Sequence, residues 1–171
     1  MRPIIRLTAM LAVTLAGITL WVQPAIANTK VTNVVHVHDT FVDSETCGFD
    51  ITVHASGSFK SSDYYDNSGV IYKTIITVGA GGPFTIRETA KGTTLTMQNQ
   101  SYQVMITYNA DGSINTFTLD GPVMRFTVPG GGVVLLDAGK VTFDGEGNIV
   151  FEAGPHQQFH GDVAGFCAAF G

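Results

Sequence analysis

The sequence predicts an all-β fold: an antiparallel barrel, lipocalin-like or similar and of about 8–10 strands, in preference to a sandwich, with one short helix near the C-terminus. Three observations carry this. Beyond Ala27 the apolar residues recur with period two, and Thr, Val, Ile, Phe and Tyr dominate, as half-buried strands require. Turn residues interrupt these runs at short intervals. No apolar stripe of period 3.6 is long enough for a buried helix before the end of the chain.

The elements follow in order. Residues 31–38 read as a first strand. Residues 49–55 alternate cleanly, with Phe49, Ile51, Val53 and Ala55 on one face. Residues 70–78 form a longer strand with an apolar centre. Residues 84–89 and 93–98 form a pair turned at Lys91-Gly92, and residues 102–108 put Tyr102, Val104, Ile106 and Tyr108 on one face. Strands at 114–119, 123–128, 133–136, 141–143 and 149–151 complete the set. Asp111-Gly112, Asp120-Gly121, Pro129-Gly130-Gly131-Gly132 and Asp144-Gly145 separate them, with residues that accept positive φ. Asp162 is placed to cap a helix over residues 163–169 that carries Cys167. The stretches Asp66 to Gly69, Asp111 to Ser113 and Asp144 to Asn148 echo one another. Their unequal spacing marks hairpin turns, not a repeat array.

Residues 1–27 read as a secretory signal peptide. Arg2 and Arg6 supply a positive start, residues 7–22 are uncharged and largely apolar, and Ala25-Ile26-Ala27 supplies a small-residue cleavage site at Ala25 and Ala27. The exported product is then residues 28–171, a single β domain, secreted or held at the cell envelope with no integral membrane segment after cleavage. It keeps seven of the nine basic residues against all fourteen acidic ones, a formal charge of −7. A field of that sign repels phosphate backbones, so nucleic acid is excluded as a partner. Cys47 and Cys167 are the only cysteines. In an oxidising compartment they are expected to form one disulfide.

Candidate chemistry is sparse. His36 and His38 stand at i and i+2 on a strand and so share a face, and His156 and His160 flank a short loop. If the disulfide gathers the termini, these four histidines would form a metal cluster at one end of the barrel; otherwise they are surface and loop residues. Asp144, Glu146 and Asn148 have the spacing of calcium ligands but lack the glutamate that closes such a loop, so a turn is the better reading. Asp63, Asp66, Glu88 and Glu152 are isolated carboxylates, two of which would have to converge for acid–base work. No cofactor is implied.

The segments Thr46-Cys47-Gly48-Phe49, Tyr64-Tyr65-Asp66-Asn67-Ser68-Gly69, Pro129-Gly130-Gly131-Gly132 and Phe166-Cys167-Ala168-Ala169 resemble a group of small secreted actinobacterial proteins of unassigned function. The resemblance spans most of residues 28–171 and implies a secreted, disulfide-tied β domain. It carries over no catalytic residue.

The function expected from these observations is non-enzymatic: a binding or cell-envelope-associated module holding a small apolar ligand inside the barrel, or meeting an envelope component. The rival readings are a barrel-type cyclase, isomerase or hydrolase, and a surface interaction protein with a filled core.

Overall fold

A computed structural model describes residues 29–80, 82–97, 101–128 and 130–171. The segment expected to be a signal peptide, with Ala25 and Ala27, lies outside the described residues. Nine strands run antiparallel in one sheet: β1 (Lys30–Asp43), β2 (Ile51–Tyr65), β3 (Ile71–Val78), β4 (Thr85–Ala90), β5 (Thr93–Met97), β6 (Gln103–Tyr108), β7 (Ile114–Val128), β8 (Gly132–Asp144) and β9 (Ile149–Ala153). One helix, α1 (Ala164–Ala168), follows. Six strands are bonded as a ring in the order β2–β3–β6–β7–β5–β4. The ring closes through a single pair, Thr96 opposite Thr127. β1 extends the sheet from β2, while β8 and β9 extend it from β7.

Two long strands organise the ring. The first half of β2 pairs with β4 and its second half with β3, so the sheet divides along its length. The same holds for β7, which pairs first with β6 and then touches β5. Each division falls at a glycine. At Gly57 the connection from β3 to β4 crosses so closely that an added Cβ would stand 2.7 Å from Phe84 Cα and from the Pro83 oxygen. At Gly121 the backbone of Tyr102 crosses in the same way, 3.3 Å from the equivalent position. Asp120-Gly121 is therefore not the turn that the sequence suggested. β7 runs straight through it, and a register shift between Pro122 and Met124 accommodates a proline that has no N–H for the ladder. Likewise residues 133–136 and 141–143 belong to one strand, β8.

The other turns match their chemistry. Lys91 (φ 47) and Gly92 (φ 80) both take the left-handed conformation at the β4–β5 hairpin. Asp66, Asp111 and Asp144 each cap their own turn. The Asp66 carboxylate accepts from the Ser68 and Val70 amides at 2.8 and 2.9 Å. That of Asp111 accepts from the Ser113 amide at 2.9 Å, and that of Asp144 from the Glu146 and Asn148 amides at 3.0 and 2.8 Å. Side-chain bonds from Ser68, Ser113 and Asn148, with these amide bonds, hold the three carboxyls below the usual range. Asp162 does not cap α1. Val163 occupies the N-cap with no side-chain bond, and the Asp162 carboxylate lies 3.4 Å from the Gln157 amide group instead.

Two apolar clusters fill the molecule. The first joins Ile51, Val53, Leu95, Met97, Phe126 and Leu135 to Phe166 and Phe170 of the C-terminal segment. The second is built on Val104, Ile106, Leu119, Val123 and Val141. The Cys47–Cys167 disulfide forms, closing a separation of 120 residues with Cα atoms 5.4 Å apart, and so clamps α1 onto the first cluster. Lys91 adds a second tie: its Nζ donates to the Gly171 carbonyl at 2.6 Å and lies 4.1 Å from the Phe49 ring centroid.

Candidate functional site

The aromatic residues serve mainly as core. Phe126 and Phe166 meet at 5.2 Å between centroids, Phe166 and Phe170 at 5.2 Å, and Phe143 and Phe159 at 5.5 Å. Tyr102 and Tyr108 pack against the second cluster. The rings expected to line an apolar ligand cavity are thus spent on one another. One concavity of the surface carries polar side chains beside apolar ones. It is an open groove of about 430 Å³ lined by His38, Asp39, Thr40, His54, Ala55, Ser56, Thr85 and Arg87.

Strand register builds this groove. Val53, Ala55 and Ile86 turn their side chains toward the core, so the alternate residues of β2 and β4 turn outward. Pairing aligns Thr40 with His54 and His54 with Arg87, in one row across three strands. A second row aligns His38 with Ser56 and Ser56 with Thr85. Three hydroxyl-bearing residues, two imidazoles and one guanidinium therefore face the same side within two rungs of the ladder. The Thr40 hydroxyl and His54 Nδ1 lie 2.8 Å apart, which fixes the ring and leaves Nε2 directed away from that bond. Arg87 has no ion-pair or hydrogen-bond partner among the described residues.

A hydroxyl bonded to an imidazole is the start of a nucleophile–base pair, but such a base needs a third group to orient it. No carboxylate is bonded to the second ring nitrogen of His54 among the described residues. An unpaired guanidinium between hydroxyls and imidazoles is instead a donor set for an oxyanion.

The four histidines proposed as a metal cluster do not assemble. His36 and His38 lie on β1, opposite Ser58 and Ser56. His160 pairs with Glu152 at 2.7 Å, on the far side of β8 from the ring. His156 is buried with Asp137. Among the described residues no group of three or more His, Cys, Asp or Glu stands close enough to hold a metal ion. The disulfide gathers α1 onto the start of β2, but the register of β1 sends its histidines elsewhere.

Sequence reasoning singled out His156 as a candidate metal ligand but missed its pairing with Asp137. Their side chains are 0% exposed, with Asp137 Oδ1 and His156 Nδ1 3.6 Å apart and neither atom hydrogen-bonded otherwise. The pair joins the tail to β8 through an isolated bridge. The Gln158 amide donates to the other Asp137 oxygen at 2.8 Å, and His156 Nε2 lies 3.3 Å from the Ala153 carbonyl. Burial pushes the Asp137 carboxyl up, against the lowering effect of the Gln158 amide and the imidazole. The pair is sealed from solvent and works as a structural tie. A second perturbed carboxyl is Glu88, opposite Val53 and Leu95 on the core-facing side of β4. Burial and the neighbouring Asp43 charge push it up to about 7.

Comparison with protein-family models, curated proteins and solved structures gives no match. Among the described residues no helix is long and apolar enough to cross a membrane.

Proposed function

We propose that the protein is an exported, non-enzymatic binding module that takes an anionic group, a phosphate or carboxylate carried by a cell-envelope component, in the β1–β2–β4 groove. The carrying observation is the unpartnered Arg87 beside His54, His38, Ser56 and Thr85 in an open concavity. The chain carries fourteen acidic and nine basic residues. That acidic excess opposes an anion at long range and Asp39 also lines the groove, so the reading rests on the local donors around Arg87 and not on net charge. The leader-like segment and the Cys47–Cys167 bond support export to an oxidising space.

Calorimetric titration with inorganic phosphate tests the reading. The expected result is binding to the protein that Arg87→Gln weakens by at least about tenfold, the loss of one charge-assisted contact. Equal binding by the protein and the variant, or none by either, overturns it.

A further inference from the structure

We infer that β1 is a homodimerisation edge, pairing antiparallel with β1 of a second copy to continue the sheet across a twofold axis. This is independent of what the groove binds. β1 is fourteen residues long and pairs with β2 through an unbroken register of fourteen partners. No described residue pairs with its other side. Two bonds fix which amides face that side. The Tyr65 amide donates to the Thr29 carbonyl, so the odd-numbered residues of this segment bond β2. The Thr40 amide instead turns to the Asp39 side chain at 2.8 Å. The amides and carbonyls of Thr32, Val34, His36, His38 and Thr40 therefore point outward.

Such an edge is normally protected by brevity, a bulge, proline, inward charge or a covering segment. The counterpart strand shows the difference. β8 lies on β7 as β1 lies on β2, and its outer side is covered by β9 and then by the tail. The tail seals it through the Ala138 amide to the Pro155 carbonyl at 2.9 Å and the Asp137–His156 bridge. Among the described residues β1 has no such cover; it has no bulge and no proline, its charges are Lys30, Asp39 and Asp43, and Val34 and Val42 are 53% and 56% exposed on it.

The sequence of β1 is complementary to itself in one register. A twofold normal to the sheet requires facing residues to share a side, so the two numbers of each pair sum to an even value. Centring the axis at His36 sets Val31 against Phe41, Asn33 against Asp39 and Val35 against Val37 on one side. Thr32 meets Thr40, Val34 meets His38 and Lys30 meets Val42 on the other. Each apolar residue of the first side meets another, and the Asp39 carboxylate exchanges its own Thr40 amide for the side-chain amide of Asn33. Shifting the axis by one residue sets Asp39 against Val35 or Val31, which leaves a carboxylate facing an apolar residue. The geometry selects a closed pair, which saturates the edge without starting a fibre.

Sedimentation velocity over a concentration series, on the disulfide-bonded protein, tests this. The expected species has twice the chain mass. Val34→Pro removes an N–H that has no partner within one copy, and His36→Asp sets two carboxylates face to face. Each is expected to raise the dissociation constant by more than about tenfold while circular dichroism stays unchanged. Should Val34→Pro misfold, His36→Asp alone decides. A monomer at all concentrations overturns the inference, as does a dimer that both variants leave intact, since the contact would then lie elsewhere, such as at β9.

Discussion

His156 Nδ1 faces Asp137 Oδ1 across 3.6 Å in a site closed to solvent, and this pair decides where the C-terminal tail lies. Asp137 sits on the core-facing side of β8 with Leu135 and Val141, so either partner alone is a buried polar group without compensation. His156→Ala is expected to cost about 3 kcal/mol, and Asp137→Ala a similar amount. The double replacement Asp137→Leu with His156→Leu is expected to cost less than the sum of the single losses, because no charge is then stranded. Urea unfolding of the four proteins checks both statements.

Glu88 gives the fold a pH dependence. Its folded carboxyl is pushed up to about 7, above its unfolded value of 4.5. The folded state therefore holds the proton more tightly than the unfolded state. Its contribution is full below the unfolded value and is lost as pH rises through about 7. The shift corresponds to a difference on the order of 3 kcal/mol between the ends of that window. Glu88→Gln should flatten the stability profile across it, measured by chemical unfolding at a series of pH values. The three turn aspartates act oppositely, since their lowered values make their contribution disappear only in acid.

Gly57 admits no side chain. An added Cβ meets Phe84 Cα and the Pro83 oxygen at 2.7 Å, and φ is +149. Gly57→Ala is expected to cost more than about 2 kcal/mol, since backbone must move and strain adds to it. Gly112, at φ +84 with nothing within 4 Å, bounds the conformational part alone, and Gly112→Ala should cost about 1 kcal/mol. Thermal unfolding of the two variants separates crossing from conformation.

Reduction of Cys47–Cys167 should release α1 from the first cluster. The enclosed separation of 120 residues implies a loss of up to about 4–5 kcal/mol by chain entropy. The expected signature is loss of near-ultraviolet dichroism from Phe166, Phe170 and their neighbours upon addition of reductant, read alongside the Cys47→Ala, Cys167→Ala protein.

The strand content, the Lys91-Gly92 hairpin, the aspartate turns, the short terminal helix and the cysteine pairing were legible in the sequence because each depends on local chemistry. Period two exposes a half-buried strand, and a turn aspartate declares itself by the amides that follow it. The unity of β7 and β8 was not legible. Asp120-Gly121-Pro122 reads as a turn, and only the approach of Tyr102 to Gly121 shows why glycine is required inside a strand. The groove was partly legible: His38 was singled out for sharing a face with His36, but its companions His54 and Arg87 join it through the pairing of β1, β2 and β4, which is non-local. The pairing of Asp137 with His156 was not legible for the same reason, the two being 19 residues apart in sequence and brought together by the bridge to β8.

The central claim is that the β1–β2–β4 groove binds an anion through Arg87. Its most direct test is a nitrogen–proton correlation titration with inorganic phosphate, following the Arg87 Nε–H and the backbone amides. The largest shifts are expected on the Arg87 side chain and on the amides of residues 38–40, 54–56 and 85–87, saturating together. Shifts centred elsewhere, for instance on Lys30 and Lys73 around the Tyr64 ring, or no saturable shift at Arg87, would contradict it.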